Sequence, residues 1–267
     1  FPAVDGRMKF SLLTTTGGGV TAADFAFFLH NMEDFADEER HFTLSRKDLS
    51  RINPNTKTCP VFRNRKNAEL TRKLYEAAPV LVNEVSGENP WRISFLRMFD
   101  MTNDSSLFRS KEKLEDDGFS LMGNKFVLKD EVYLPLYEGK MFMPYDHRFA
   151  HVIITDNVAR PGQPEVLSDE DHLNYYHMVM PRFWVNSARV KKELGDDYPF
   201  GWLIGFKNVT SPTNERTFLS TILPISGVGN STPLILPSSK ALACGSSALI
   251  ANLNSFVFDF VARQKMG

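Results

Sequence analysis

The spacing of apolar positions along this chain changes several times, and each change predicts a different element. Residues 8–14 alternate apolar and polar side chains, which predicts a strand that ends before the glycines at 17–19. Beyond Thr21, a candidate cap, the apolar positions recur at the three- and four-residue spacing of an amphipathic helix. Those positions are Phe25, Phe28, Leu29, Met32 and Phe35. One strand and one helix are therefore expected in this region.

Two further helices are predicted in the segment that follows. Ser45 can cap a short helix that runs to about Ile52, and the sequence Asn53-Pro54-Asn55-Thr56 ends it as a turn. A second helix is expected from Arg63 to Ala77, before Pro79. Both helices carry several Lys and Arg side chains, so this part of the chain is predicted to be helical and basic.

Short apolar runs separated by turn residues begin after residue 90, and they predict a β-rich unit. The strand candidates are Trp91–Phe95, Phe119–Met122, Lys125–Leu128, Val132–Tyr137, His151–Thr155, Arg182–Val185, Trp202–Lys207 and Thr217–Leu223. Small helices are expected at Ser110–Asp116 and Ser187–Leu194. A long terminal helix, about Ser246–Gln264, aligns seven apolar side chains that we expect to pack in the core. They are Leu249, Ile250, Leu253, Phe256, Val257, Phe260 and Val261.

These elements predict an α/β fold of the mixed α+β kind. A helical, basic N-terminal portion is followed by a β-rich mixed sheet and a long C-terminal helix. Three segments are expected: residues 1–20, residues 21–90 as a basic helical linker or subdomain, and residues 91–267 as the β-rich domain. The chain starts without Met, and Gly267 directly follows the predicted helix. We therefore expect it to be a piece of a longer protein.

Charge position changes this picture more than net charge does. The 267 residues carry a formal net charge of −1 and are 42% hydrophobic, which excludes a disordered chain. Between Arg40 and Lys73, however, ten Lys and Arg stand against two acids, Asp48 and Glu69. No apolar run reaches the ~18 residues of a membrane span. The chain is therefore expected to be cytoplasmic and to bind no membrane.

Motifs for catalysis and for metal or cofactor binding are missing. His147 and His151 have the i,i+4 spacing of helical zinc ligands, but in the predicted strand that spacing places them ~13 Å apart. The 53–56 turn lacks the second proline and the aromatic residue with which amino-methylating DNA methyltransferases hold a flipped base. Phosphate-binding loops and nucleophile motifs are also lacking. We therefore predict no catalytic residue, no metal and no cofactor within this chain.

The basic segment fits a phosphate backbone, because each neutralised phosphate releases condensed counterions. The predicted phosphate-binding residues are Arg46, Lys47, Arg51, Lys57, Arg63, Arg65, Lys66, Arg72 and Lys73. The same residues fit two other roles, a solvated helix face or a surface that docks on an acidic domain. In the latter case the chain is a scaffold or protein-interaction module without base readout.

Three loops of the β-rich part carry side chains that can read base edges in the major groove. The candidates for base reading or groove contact are Lys140, His147, Arg148, Asn214 and Arg216. How they divide between bases and phosphates stays open. The alternative role is internal, because the pairs Asp146–Arg148 and Glu215–Arg216 can form salt bridges that hold their loops.

Four blocks of the sequence resemble a known family. They are Asn53–Arg63, Leu136–Met141, Tyr145–Phe149 and Thr213–Thr217, together with the terminal helix around Leu253-Asn254-Ser255. They are similar to blocks downstream of the catalytic domain in large adenine-specific DNA methyltransferases. These include type IIG and other single-polypeptide restriction-modification enzymes, phage-defence methyltransferases, and the TaqI-like C-terminal specificity domain.

That resemblance implies a role in site selection. In the family the catalytic domain binds S-adenosylmethionine and precedes this region, and the downstream target recognition domain selects the DNA site. By the same resemblance, residues 1–20 are expected to be a remnant strand of the methyltransferase sheet. The implied partners are double-stranded DNA and the methyltransferase domain of the same polypeptide. An unassigned hydrolase is a further alternative, which rests only on the remaining acids and histidines.

Overall fold

The computed structural model describes residues 10–154, 162–208, 210, 211, 213–238 and 243–266, with the side chains of 243 and 244 excepted. Helices and antiparallel sheets alternate along these residues, which confirms the mixed α/β class. The chain divides between Val80 and Leu81 into two compact units, an N-terminal unit and a C-terminal unit. Each unit has its own hydrophobic core and is described by itself.

The N-terminal unit pairs a two-stranded antiparallel sheet with short helices. Its elements are β1 (Ala22–Ala26), α1 (Met32–Ala36), β2 (His41–Ser45), α2 (Arg46–Ile52) and α3 (Arg65–Ala77). Strand β1 pairs with β2 in the register Phe25↔Phe42. The core beneath this pair contains Phe42, Leu44, Ile52 and Phe62. Burial of these side chains is the main stabilising term for so small a unit.

The helix predicted from Phe25 to Phe35 is wrong. Phe25 lies in β1, and a short helix begins only at Met32. The rings of Phe25 and Phe27 each pack 5.9 Å from that of Phe42, so alternate aromatic residues face one neighbour as a strand requires. The strand predicted over residues 8–14 is also wrong for residues 10–14, and residues 8 and 9 lie outside the described residues.

The two basic helices are confirmed. Ser45 caps α2 through a reciprocal box with Asp48, and a turn follows at residues 53–56. Helix α3 begins two residues later than expected, because the Asn64 side chain accepts from the Asn67 backbone N–H as an N-cap. The N-terminal portion is thus helical and basic only after β2.

The described residues of the C-terminal unit form three sheets. Its strands are β3 (Ile93–Leu96), β4 (Phe108–Arg109), β5 (Ser120–Met122), β6 (Lys125–Leu128), β7 (Glu131–Tyr137), β8 (Ala150–Ile154), β9 (Gly162–Val166), β10 (Trp184–Asn186), β11 (Trp202–Phe206), β12 (Ser220–Pro224), β13 (Gly227–Val228) and β14 (Leu234–Pro237). One sheet has the order β4-β10-β7-β6-β5 with β13 beside β7, the second has the order β12-β11-β14-β3, and β8 pairs with β9.

Alternation along the strands builds two cores around the four-stranded sheet. Leu203 and Leu234 join the core shared with the larger sheet. Ile204 and Ile235, one residue further on, pack on the opposite face against the C-terminal helices. The helices of this unit are α4 (Lys111–Asp116), α5 (Asp169–Leu173), α6 (Ser187–Leu194), α7 (Ala243–Leu253) and α8 (Phe256–Lys265).

Each strand predicted beyond residue 90 overlaps an observed one, although Thr155 lies outside the described residues. The single long C-terminal helix is wrong, because the chain breaks at Asn254-Ser255 and Ser255 caps a new helix. The break changes which side chains face inward. Leu253 is buried, whereas Phe256 is 79% exposed. The apolar stripe therefore covers the core only along α7 and parts of α8.

Candidate nucleic-acid interface

An acidic segment precedes the basic one, and the N-terminal unit folds the two together. Residues 24–39 carry six acids and no Lys or Arg. Arg40 forms ion pairs with Asp34 at 3.0 Å and with Asp37 at 3.5 Å. Arg65 donates to the backbone oxygen of Glu38 at 2.9 Å. The positive charge of the basic segment is therefore partly compensated inside its own unit.

Three of the nine predicted phosphate-binding residues have internal partners. Arg65 and Arg72, two helical turns apart on α3, donate to the outward carbonyls of His41 and Thr43 on the free edge of β2. Arg72 also lies 3.3 Å from the Asp48 carboxylate, and Arg51 pairs with Glu76 at 2.7 Å. These contacts join α2, α3 and β2, so Arg51, Arg65 and Arg72 have structural roles.

Asp48 shows how α2 is held in place. Burial would raise the pKa of this carboxyl, but the Ser45 hydroxyl and backbone N–H, with Arg72 nearby, lower it overall. The carboxylate thus stays ionised beside Arg72. Asp48 of α2 pairs with Arg72 of α3, and Arg51, later in α2, pairs with Glu76, later in α3. The two helices therefore run in the same direction.

The other six predicted phosphate-binding residues are exposed and have no ion pair or side-chain hydrogen bond with any described residue. We call them the unpaired cations. They are Arg46, Lys47, Lys57, Arg63, Lys66 and Lys73. Arg63 lies over the ring of Phe28, 4.9 Å from its centroid, a contact that leaves its donors available. Lys66 and Lys73 are seven residues apart and share the outer face of α3.

In the C-terminal unit, Lys140 and Arg148 make internal contacts. Lys140 lies 3.0 Å from the Glu138 carboxylate and donates to the carbonyl of Gly162 at 2.8 Å. The Arg148 guanidinium donates to three carbonyls, those of His172, Asn174 and His177, at 2.9–3.1 Å. One side chain thus fastens the whole 172–177 loop.

Arg216 is engaged in the same way. Its Nη2 donates to the carbonyl of Asn254 at 2.6 Å, and its guanidinium lies 4.8 Å from the Phe256 ring centroid. Its Nε is 3.4 Å from the Asp259 carboxylate, an ion pair without hydrogen-bond alignment. The internal salt bridge considered for this residue therefore exists, with Asp259 and not Glu215 as the partner. Arg216 holds the junction between α7 and α8.

His147 and Asn214 complete the set of predicted base-contacting residues. His147 is half-buried in the wall of a cavity, and burial lowers the pKa of its imidazole, so the ring is neutral at pH 7. Asn214 lies exposed in the 213–216 turn. Among the described residues, neither His147 nor Asn214 has a side-chain hydrogen bond or ion pair, and of the five candidates only Asn214 is exposed.

A histidine cluster in the C-terminal unit is one feature that the sequence motifs did not reveal. The Met180 backbone N–H donates to Nδ1 of His151, and the Nε2 atoms of His151 and His177 lie 3.2 Å apart. Because Nδ1 of His151 accepts, its proton is on Nε2, which is therefore no metal ligand. Among the described residues no group of His, Cys, Asp or Glu is placed to hold a metal ion.

A second histidine contact fixes the same loop. His172 approaches the Ser168 carbonyl at 2.9 Å and the Asp146 carboxylate at 3.1 Å. The Ser168 carbonyl, and after it Asp146, raise the pKa of His172. Only the fold reveals these contacts, because the partners are up to 29 residues apart in the chain.

Comparison with known proteins assigns no relative to this chain. No protein-family model, no curated protein and no solved structure matches it. Within the described residues, every helix is too short or too polar to cross a bilayer. Function is therefore inferred from the side chains and from the sequence resemblance.

Proposed function

We propose that this chain recognises double-stranded DNA as the specificity region of an adenine-N6 DNA methyltransferase of the restriction-modification or phage-defence kind. The observation that carries the proposal is the set of unpaired cations on the N-terminal unit. Six exposed positive side chains have no acidic partner among the described residues, although the same unit contains several Asp and Glu residues. Such a surface attracts an anionic partner, and a phosphate backbone supplies charges at regular intervals.

Paired and unpaired cations have different roles in this proposal. Arg51, Arg65 and Arg72 hold α2, α3 and β2 together, and the unpaired cations bind phosphates and position the protein on the duplex. Lys140, Arg148 and Arg216 fix the loops of the C-terminal unit, and their direct contact with bases is not part of the proposal. Asn214 is the candidate for a base contact, because an amide can bind the adenine edge through two hydrogen bonds.

The resemblance supplies the rest of the proposed activity. A preceding catalytic domain would bind S-adenosylmethionine and transfer the methyl group to adenine N6. This chain would select the site at which that transfer occurs, and it would hold neither the cofactor nor a metal. Site selection then depends on the C-terminal unit, and affinity depends on the N-terminal unit.

The test compares two triple variants that remove the same charge from different units. One carries K47A, K66A and K73A, which replace unpaired cations on α2 and α3, where Ala favours the helix. The control carries K125A, R189A and K192A on the C-terminal unit, where these cations are exposed and have no described partner. Binding to a labelled 30-base-pair duplex of arbitrary sequence is measured by fluorescence anisotropy at 0.1 M salt.

We expect the first variant to bind at least ~10-fold more weakly than wild type, and the control to stay within about twofold. Equal binding by wild type and the first variant would contradict the phosphate role. If wild type binds poly-glutamate through the same three lysines but binds no duplex, the chain is instead a module that docks on acidic proteins.

A further inference from the structure

A cavity of about 480 Å³ opens at the free edge of the four-stranded sheet in the C-terminal unit. Its walls include Tyr145, His147, Trp202, Ser247 and Ile250, and none of the described residues that line it is Asp, Glu, Lys or Arg. The volume is within the usual range of small-molecule sites, about 300–1,000 Å³. An uncharged, largely apolar ligand with aromatic faces therefore suits these walls.

Tyr145 is held at the rim in an unusual backbone conformation. It lies in the turn between Met143 and Asp146, which exchange backbone hydrogen bonds of 2.8 and 2.9 Å. Its φ of +63° is in the left-handed region, where glycine is the ordinary residue, and its side chain is 66% exposed. An exposed aromatic ring that is kept at such a position indicates a role in binding.

The edge of β12 offers hydrogen-bonding groups toward this cavity. Asn254 binds the outward face of Ser220: its Oδ1 accepts from the Ser220 N–H and its Nδ2 donates to the Ser220 carbonyl, both at 2.9 Å. A planar group with neighbouring donor and acceptor atoms thus already pairs with this strand edge. Because strand groups alternate in direction, the N–H and carbonyl of Ile222 face outward as well.

Ile222 is the next outward position after Ser220, and it lines the cavity. Within the described part of the chain, no strand pairs with β12 on this side, and no side chain caps Ile222 as Asn254 caps Ser220. Pro224, the following outward residue, has no N–H, and its carbonyl accepts from the Ser226 hydroxyl at 2.9 Å. An added peptide strand would therefore find only one free residue, which argues against strand addition.

We propose that this cavity binds an adenine ring, whose N1 accepts from the Ile222 N–H and whose 6-amino group donates to the Ile222 carbonyl. The arrangement repeats the Asn254–Ser220 pairing with a heteroaromatic amidine in place of an amide. Tyr145 and Trp202 supply aromatic contacts, and the two-ring purine gives them more surface than cytosine does. The adenine can belong to a free nucleoside or to a base out of its stack, so this site does not require that the chain bind duplex DNA.

The test titrates adenosine into the whole chain and follows heat by calorimetry. Purine riboside, which has the same ring without the amino group, and cytidine are the comparison ligands. An oligothymidylate with one adenine, compared with the all-thymine strand, distinguishes a nucleic-acid source from a free nucleoside. Adenosine carries no phosphate, so its binding does not depend on the unpaired cations and fails or succeeds separately from duplex binding.

Two pairs of variants locate the site. Tyr145→Gly removes the ring. Glycine suits the left-handed backbone at this position, so a loss of adenosine binding is not explained by misfolding of the turn. Tyr145→Phe keeps the ring and is the control. Ser247→Phe fills the cavity, whereas Ala248→Phe places the same bulk at the neighbouring exposed position of α7 outside it. We expect Y145G and S247F to weaken adenosine binding about 10-fold or more, and Y145F and A248F to stay within about threefold.

We expect purine riboside to bind about 10-fold more weakly than adenosine, because the Ile222 carbonyl loses the hydrogen bond from the 6-amino group, whereas N1 still accepts from the Ile222 N–H. If only the adenine-containing strand binds, with the same sensitivity to Y145G and S247F, the source of the base is nucleic acid. The proposal is overturned if neither adenosine nor that strand binds at millimolar concentration, or if Y145G, S247F and loss of the amino group leave affinity unchanged.

Discussion

Replacing Arg216 distinguishes most sharply between a base-reading side chain and a structural one. In the structure, its guanidinium donates to the Asn254 carbonyl at 2.6 Å, contacts the face of Phe256 and pairs with Asp259. The side chain is 21% exposed and that of Asp259 only 6%. We therefore expect R216A to destabilise the protein before it changes any DNA contact.

The loss in free energy of unfolding depends on which partners Asp259 keeps after Arg216 is replaced. A hydrogen bond to a charged group contributes about 1.5–3 kcal/mol. Breaking a buried ion pair costs about 3–5 kcal/mol when the other charge is left alone. Asp259 is not left alone, because the Thr217 and Phe218 N–H groups donate to it at 2.7 Å and Arg263 at 3.1 Å. The expected loss for R216A is therefore about 2–3 kcal/mol, with a smaller loss for R216K.

Urea unfolding, followed by tryptophan fluorescence and circular dichroism, measures this difference from the shift in midpoint at constant slope. N214A is the matched control, because it lies in the same turn and has no described side-chain partner. We expect it to cost less than about 0.5 kcal/mol, as for most surface substitutions. If R216A is as stable as N214A, Arg216 is not structural and a base-reading role is favoured instead.

Three other outcomes follow from the C-terminal and N-terminal units. R148A is expected to cost about 3 kcal/mol in urea unfolding, because three carbonyls lose one guanidinium; a loss below 1 kcal/mol would contradict that role. In a histidine NMR titration, His172 is expected to lose its proton above pH 6.5 and His151 below it, since the first pKa is raised and the second, by burial, lowered. The contribution of His172 to stability is then complete below pH 6.5 and is lost as the pH rises through its raised pKa. The contribution of His151 is instead lost as the pH falls toward its lowered pKa. A titration in which His151 has the higher midpoint would contradict these assignments. Burial raises the pKa of Cys59 from 9.0 to about 11. At pH 8, iodoacetamide should therefore modify this thiol roughly 100-fold more slowly in the folded than in the urea-unfolded protein, as measured by mass spectrometry. Equal rates of modification would refute the burial of Cys59.

Local signals explain which elements could be predicted from the sequence. Ser45 and the 53–56 turn bound α2 within a few residues, and the strands beyond residue 90 show their own apolar alternation. The hairpin of β1 and β2 could not be found this way, because Phe25 has its partner Phe42 seventeen residues later. The break between α7 and α8 depends on Asn254, whose side chain binds Ser220.

The candidate site was only partly visible in the sequence for the same reason. Counting charges locates the basic segment, but it does not say which cations are paired. Arg65 and Lys66 are neighbours, yet Arg65 turns toward the β2 edge and Lys66 toward solvent. Likewise, Arg148 carries the charge that base reading needs, but three carbonyls of the 172–177 loop already bind its guanidinium. Tertiary contacts decide these assignments.

The salt dependence of duplex binding tests the phosphate role of the unpaired cations most directly. If all six contact phosphates, the logarithm of the association constant should fall with the logarithm of salt concentration with a slope of about −5 for wild type. The K47A/K66A/K73A variant should show a slope about 2.7 shallower, and the K125A/R189A/K192A control should keep the wild-type slope. An identical slope for all three proteins, or a wild-type slope near zero, would contradict the account.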